Sequence, residues 1–362
     1  MSGRLVLVTG GAGYLGRRIA RRCLEAGDDV LLSTRSSRSG DDALSELGSI
    51  GERARVVPGD LCTDDPFAAL DGDIAGITHI VHAAAAIRFN VERDLAQRVN
   101  VDGTRAVVEL ARRCPKLQAL AHVSSVYSTG LRGGPTTEQR YDDRAGFANN
   151  YEWSKWAAEE LVLGLGEDLP WRILRVATVV ADDETGRVTQ YNAFHEALKL
   201  CFYGLLSVLP GTPDTPLYFV TGGFAADAIT ATTVAGDAAG IYHVAHERSS
   251  SPTLGQLLDI AFAEFDRADD FRKKHILRPL HADEDSFHLL VDGVTPFAGG
   301  LLSQALDNVA PFARQLYVHK DLQNVRLRAA LPNYQAPDGA DLVRNTSAFL
   351  VRTRWGRRDA EC

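Results

Sequence analysis

The chain has 362 residues, enough for two structural lobes at roughly 150 residues per domain. Its 45% hydrophobic and 24% charged residues are those of an ordinary globular protein, which excludes disorder, collagen and a disulfide scaffold. Thirty-nine Lys and Arg against 47 Asp and Glu leave a net charge of -8, so no basic stripe is expected to neutralise a phosphate backbone and no nucleic-acid partner is expected. The five cysteines (Cys23, Cys62, Cys114, Cys201, Cys362) are scattered, without metal-ligand spacing, and read as free thiols of a reducing compartment. Apolar runs stop short of the about 18 residues a membrane helix needs, and the N-terminus lacks a secretory signal. A cytoplasmic protein that starts at its first residues and makes no membrane contact is the expectation.

In chain order, strands are expected at Leu5–Thr9, Val30–Thr34, Ala54–Val57, Thr78–Ala83, Leu120–Ser124 and Trp171–Val176, with helical patterns between most of them. That alternation predicts an α/β fold, a doubly wound parallel sheet of the Rossmann kind. The first helix starts near Gly13, turns Leu15, Ile19, Ala20 and Cys23 inward, and stops at Gly27; another spans Val91 to Cys114 and ends before Pro115. Gly130 to Asn149, with four Gly, one Pro and no apolar period, reads as a surface loop over the sheet edge. Beyond Val180 the alternation weakens. Helices are read at Tyr191–Leu206 and Thr253–Phe265 and a strand at Ile241–Ala245, and the rest gives no periodic signal that assigns a topology. The plan expected is a nucleotide-binding domain over residues 1–180, to which about 217–248 return, with a smaller substrate lobe from 181–216 and 249–362.

The strongest local signal is the run from Leu5 to Gly16, a buried strand leading through glycines into a helix. Gly10, Gly13 and Gly16 open a tight turn, let backbone approach a pyrophosphate, and let helix pack on strand, while the helix N-terminus supplies donors; Tyr14 and Leu15 go with them as cofactor-facing positions. The second strand ends in Thr34 and Arg35, with Arg38 behind, where an NAD-binding fold places a carboxylate about 20 residues past the glycines. A guanidinium there suits a 2'-phosphate, so NADP(H) is the cofactor expected; the other reading of both arginines is solvated loop charge. Asp60 and Leu61 follow strand three, where Asp60 either meets the adenine or caps its own turn. Ala83, Ala84 and Ala85 end strand four, small enough for a cofactor to lie across them or simply closely packed.

Chemistry centres on Tyr151 and Lys155, four residues apart and hence on one helical face. A phenol of ordinary pKa near 10 needs cationic neighbours to act at neutral pH, and Lys155 and the positive ring of an oxidised nicotinamide are expected to supply them. The strand end His122-Val123-Ser124-Ser125-Val126-Tyr127 offers a hydroxyl for a developing oxyanion, Ser125 first and Ser124 in reserve, with Tyr127 a weaker rival to Tyr151. Asn100, in the fourth helical stretch, either holds backbone or a water behind the lysine or is a solvated helix residue. Tyr191, Phe194, Phe202 and Tyr203 either enclose an apolar substrate or fill the lobe core.

TGGAGYLG, the GDL after strand three, HAAA, the Asn100 segment, HVSSVY and YEWSK, in that order over residues 4 to 245, resemble the extended short-chain dehydrogenase/reductase family. NNYEWSKWAAEELV, WRILRVATVVADDETG and GIYHVA are similar to its thioester-reductase and fatty-acyl-reductase branch. Two departures stand out: Ala177 where the branch often has Pro, and an acidic stretch reduced to Asp227. The resemblance implies a Rossmann domain, a Ser125–Tyr151–Lys155 site supported by Asn100, and a C-terminal substrate lobe. It further implies a homodimer through the helices bearing Asn100 and Tyr151. The activity implied is reduction by NADPH of a small-molecule or carrier-bound carbonyl: ketone, aldehyde or acyl thioester. No adenylation or carrier domain is read in these residues, so an acyl thioester is expected to come from elsewhere. The alternatives are a nucleotide-sugar epimerase or dehydratase holding NAD, which Arg35 argues against, and a non-catalytic NADP-binding protein. The run Arg272-Lys273-Lys274 reads as a solvated face or a partner contact.

Overall fold

The computed structural model describes residues 3–234, 239–294, 309–331 and 333–357, so Cys362 lies outside the described residues. Its strands are β1 (Leu5–Thr9), β2 (Asp29–Thr34), β3 (Ala54–Pro58), β4 (His79–His82), β5 (Ala119–Ser125), β6 (Gly134–Thr136), β7 (Trp171–Val176), β8 (Thr178–Ala181), β9 (Val208–Pro210), β10 (Phe219–Thr221), β11 (Gly240–Val244), β12 (Leu280–Ala282) and β13 (Lys320–Leu322). Seven of them form one parallel sheet in the order β11-β7-β5-β4-β1-β2-β3. The order reverses at β1, and the crevice beyond the carboxyl ends of β1 and β4 is where such a sheet takes a ligand.

Both faces of the sheet are apolar because helices cover both. Val6 and Val8 of β1 point with Val30, Leu32, Val123 and Leu174 into one core, closed by α1 (Tyr14–Glu25) and later by α7 (Gly222–Val234). Leu7, between them, points with Leu31, Ile80, Leu120 and Ile173 into the other, closed by α4 (Gly103–Arg113) and α5 (Asn150–Leu165). The helix α2 (Ser37–Leu47) follows β2, its N-terminus capped by Ser36.

A third core joins Val180 and Ala181 to α6 (Ala193–Tyr203), α8 (Leu254–Phe265) and the helix Gly339–Arg352. The rings of Phe202, Phe265, Phe271 and Trp355 meet there, with Phe202 centroids 5.2, 5.3 and 5.5 Å from the other three. The later chain folds as a lobe because these aromatics come from α6, α8, the short helix Asp269–Arg272 and the turn after Gly339–Arg352, and are buried against one another.

Two expectations are corrected. The single helix over Val91–Cys114 is α3 (Arg93–Ala96), a wider turn of π type over Gln97–Asp102, and then α4. The apolar period carries across this insertion, so the pattern does not reveal it, and Asn100 sits at its centre. The stretch Gly130–Asn149 is not all surface loop: Gly134–Thr136 pairs in parallel with β13, and Thr136, Glu138 and Tyr141 are buried beneath the later chain. A partner strand almost two hundred residues downstream leaves no local trace. Among the described residues, no helix is long and apolar enough to cross a membrane.

Candidate active site

β1 ends in the glycine turn. Gly10 is left-handed (φ +66°), and a Cβ on it would stand 2.8 Å from the backbone of Ala84. A Cβ on Gly16 would reach within 2.1 Å of the Gly10 carbonyl oxygen, so this residue lets α1 seat against the turn. No side chain caps the first N–H groups of α1, whose N-cap is Gly13. That uncapped helix start, bordering a cavity whose wall includes Gly10, Gly13, Leu15 and Gly16, fits the pyrophosphate of a dinucleotide.

The cavity, of about 710 Å³, continues from the turn in two directions. Toward β2 its wall includes Thr34, Arg35, Ser36 and Ser39; Arg38 is exposed on α2 and outside that wall. Asp60 lines it while using one carboxylate oxygen to accept from the Cys62 N–H (3.0 Å), so the turn-capping role is present. Leu61 lines it and packs on Gly103, where a Cβ would fall 2.9 Å from its side chain. Ala83, Ala84 and Ala85 form part of the floor. The Tyr14 hydroxyl is engaged elsewhere: it donates to Asp182 (2.8 Å), which also pairs with Arg18 (2.7 Å), so this side chain ties α1 to the lobe as well as lining the cavity.

In the other direction lie Ser125, Tyr151 and Lys155, all on the cavity wall. Ser125 Oγ accepts the Tyr127 N–H (3.3 Å) and the side chain hydrogen-bonds Tyr151. Burial pushes the Tyr151 phenol up to about 12; the Ser125 hydrogen bond opposes this and the Glu152 charge adds to it. The expectation that Lys155 acidifies the phenol is thus corrected for the chain itself, because desolvation prevails and the ammonium donates to the Val123 carbonyl (2.9 Å). Burial brings Lys155 down to about 8, with Glu159 opposing.

Ser124, the reserve, is committed elsewhere. Its hydroxyl donates to Glu159 Oε1 (2.5 Å), as does Ser128 (2.6 Å), and Glu159 is doubly hydrogen-bonded to buried Arg175. Tyr127 is bonded to Thr178 Oγ1 (2.8 Å), and burial raises its phenol well above the ordinary value. Asn100 holds backbone: Oδ1 accepts the Ala86 N–H (2.7 Å), while Nδ2 donates to the Ala86 carbonyl (3.0 Å) and Ser154 Oγ (2.8 Å). It therefore pins the chain after β4 to the helix of Tyr151. Asp227 is exposed on α7 and paired with Arg22, outside the cavity wall.

Past Tyr151 the cavity enters the lobe between α6, α8 and β9, where Leu198, Cys201, Leu209, Leu254, Leu257 and Leu258 line it. Of the four aromatics singled out in the sequence, Phe194 is on this wall, whereas Phe202 and Tyr203 belong to the lobe's aromatic core and Tyr191 packs against His195. Sequence reasoning missed Phe89 and Phe312. Phe89 stands edge-on to Tyr151 (5.6 Å) and stacks on Phe312 (4.9 Å), which meets Tyr127 (5.0 Å). Phe89 is a lone aromatic in an irregular segment and Phe312 lies on a short helical turn without an apolar period, so no local signal singles either out.

The model of an NAD-binding family described as "Male sterility protein" matches residues 8–229, more than half of the chain. The chain belongs to this family. It is an extended short-chain dehydrogenase/reductase, as the sequence motifs imply. A hybrid PKS-NRPS synthetase (tasS) of Hapsidospora irregularis is 32% identical over 216 residues, 58% of this chain and 5% of the synthetase. The fatty acyl-CoA reductase wat of Drosophila melanogaster is 23% identical over 265 residues, 59% of this chain and 51% of the reductase. A D-erythronate dehydrogenase of Cupriavidus necator is 27% identical over 228 residues, covering 60% and 68% of the two chains. The chain thus spans a small fraction of the synthetase and about half of the fly reductase. Among solved structures, the terminal R domain from the myxalamid PKS-NRPS pathway superposes with a TM-score of 0.79 at 19% identity, over 98% of this chain and 92% of that one. A UDP-galactose 4-epimerase gives 0.63 at 17% identity, over 97% and 100%; these likenesses establish the shared fold.

Proposed function

We propose that this member of the male sterility protein family is an NADPH-dependent reductase of a carbonyl (aldehyde, ketone or acyl thioester) carried on an apolar chain. The observation that carries this reading is the single cavity that joins the glycine turn, the Ser125–Tyr151–Lys155 cluster and an apolar end in the lobe. Gly10, Gly13, Leu15, Gly16, Asp60, Leu61 and Ala83–Ala85 would hold the dinucleotide, with Tyr14 supporting from α1. Arg35 is the group suited to a 2'-phosphate, because a guanidinium matches phosphate geometry and no carboxylate stands at the end of β2 to bind a bare ribose. The reduced nicotinamide, when bound, supplies the hydride.

The chain's own groups handle the proton. At neutral pH the Tyr151 phenol, held up to about 12, keeps its proton, the state that reduction needs in a donor. It gives that proton to the carbonyl oxygen as negative charge develops there, and the Ser125 hydroxyl donates a hydrogen bond to the same oxygen. Lys155, mostly ammonium below its value of about 8, offsets the phenolate left behind and retains donors beyond the one on Val123 for the cofactor ribose. Asn100 is a positioning residue, since it touches backbone and Ser154. Phe89, Phe312 and Tyr127 wall the reacting end from water, which strengthens each of these interactions.

The test is oxidation of NADPH by the purified chain across aldehydes and acyl thioesters of increasing chain length, read by loss of NADPH absorbance. Turnover that favours longer apolar chains and NADPH over NADH is expected. No oxidation with any carbonyl, or purified protein that firmly retains NAD, contradicts the reading; the second result points to an epimerase.

A further inference from the structure

Next to Tyr151 in sequence, Glu152 is completely buried. Its carboxylate accepts from the Ala148 N–H (2.9 Å), Asn149 Nδ2 (3.3 Å) and Gln315 Nε2 (2.9 Å). Gln315 belongs to the segment 309–322, which crosses the site from the far end of the chain. Three further ties hold this segment down. Asn149 Nδ2 donates to the Pro311 carbonyl (3.0 Å), Gln315 Nε2 reaches the Gly130 carbonyl (3.3 Å), and Lys320 Nζ donates to Thr129 Oγ1 (3.2 Å), Arg132 O (3.0 Å) and Gly130 O. Phe312 lies between these fastenings and stacks on Phe89, which abuts Tyr151. Val309, Phe312 and Leu316 of the same segment line the cavity.

We propose that Glu152 is a positioning residue that fastens the 309–322 segment onto the first turn of α5 and so sets the aromatic roof over the proton-donating phenol. The inference rests on the reductase reading of Tyr151 and assigns regulation of that site to a carboxylate that touches neither substrate nor cofactor. A buried carboxylate without a metal is costly unless several donors and a cation satisfy it, and here the helix entry (Ala148, Asn149) and the returning segment (Gln315, with Lys320 as the nearby cation) supply them together. The charged and titratable groups facing Glu152 are Lys320 from the segment and the phenols of Tyr151 and Tyr127; Arg132 of the loop and Arg175 of β7 act on Lys320 in turn. Burial moves Glu152 up to about 7 against the pull of these donors, and its charge raises Tyr151.

The test compares Glu152→Gln, Glu152→Ala and Gln315→Ala with the wild-type full chain. Hydrogen exchange reads the fastening directly, whether or not the protein turns over: exchange in 309–322 is expected to rise roughly tenfold in Glu152→Ala and Gln315→Ala, with β1 and β4 unchanged. Steady-state kinetics read the positioning. The substrate KM is expected to rise roughly tenfold in Gln315→Ala with NADPH binding within about twofold. Titration of Glu152 near 7 is expected to give the wild-type rate profile a step that Glu152→Gln, which keeps an acceptor oxygen but has no proton to lose, lacks. Unchanged exchange in 309–322 overturns the proposal, as does a Glu152→Gln profile that superposes on wild type. A wild-type chain that oxidises no NADPH instead overturns the reductase reading, and the exchange result still decides the fastening.

Discussion

Ser124 and Ser125 are neighbours on one strand end, and the structure gives them separable jobs. The Ser124 hydroxyl donates to Glu159 Oε1 at 2.5 Å, beside Ser128 at 2.6 Å and the buried guanidinium of Arg175 at 2.6 Å from Oε2. A hydrogen bond to a charged group contributes about 1.5–3 kcal/mol. Because Ser128 and Arg175 keep Glu159 partnered after Ser124→Ala, the lower figure applies, about 1.5 kcal/mol of stability. Turnover should fall less than about threefold, since the Ser124 hydroxyl, although on the cavity wall, is spent on Glu159. Ser125→Ala removes a hydroxyl that hydrogen-bonds Tyr151 and caps the short turn after β5, where it accepts the Tyr127 N–H at 3.3 Å. The cap is worth about 1 kcal/mol, whereas an oxyanion donor is worth about 10²- to 10³-fold in kcat. Denaturant melts and steady-state NADPH oxidation on both variants form the assay. If Ser124→Ala loses turnover as Ser125→Ala does, or Ser125→Ala keeps nearly full turnover, the division of labour is wrong.

Three further outcomes follow from the same geometry. Arg35→Ala should weaken NADPH binding roughly tenfold to a hundredfold and leave NADH binding nearly unchanged, read by nicotinamide fluorescence titration. Leu257→Trp fills the apolar end of the cavity and should raise KM for long-chain substrates roughly tenfold or more, with short-chain substrates unaffected. Glu152, at about 7 in the folded chain against its ordinary 4.5, binds its proton more tightly when folded. Its contribution to stability is therefore complete below the unfolded value and is lost as pH rises through about 4.5 to 7. Relative to Glu152→Gln, wild type should lose about 3 kcal/mol across that window in denaturant melts at a series of pH values.

What was readable in the sequence was what local chemistry dictates. The run from Leu5 to Gly16 specifies strand, turn and helix within twelve residues, and the left-handed Gly10 sits where the turn requires it. Tyr151 and Lys155 share a helix, so their common face follows from spacing alone. Asn100 was found as a polar residue in a helical stretch, but the wide turn around it was invisible because the apolar period runs through. What escaped depends on distant partners. Glu159 and Arg175 look like surface charges until β7 and α5 pack and bury both. Phe312 and Gln315 belong to a stretch without periodicity, and their meaning appears only once the chain has returned across the site. The state of Tyr151 was also beyond spacing arguments, since burial, which no motif records, outweighs the neighbouring ammonium.

The central claim is that the Tyr151 phenol delivers the proton to a carbonyl bound in the shared cavity. Measuring NADPH oxidation and NADPH binding side by side in wild type and Tyr151→Phe tests it most directly. Turnover lower by about 10²- to 10⁴-fold with binding unchanged is the predicted result; a phenylalanine variant that reduces substrate at the wild-type rate contradicts it.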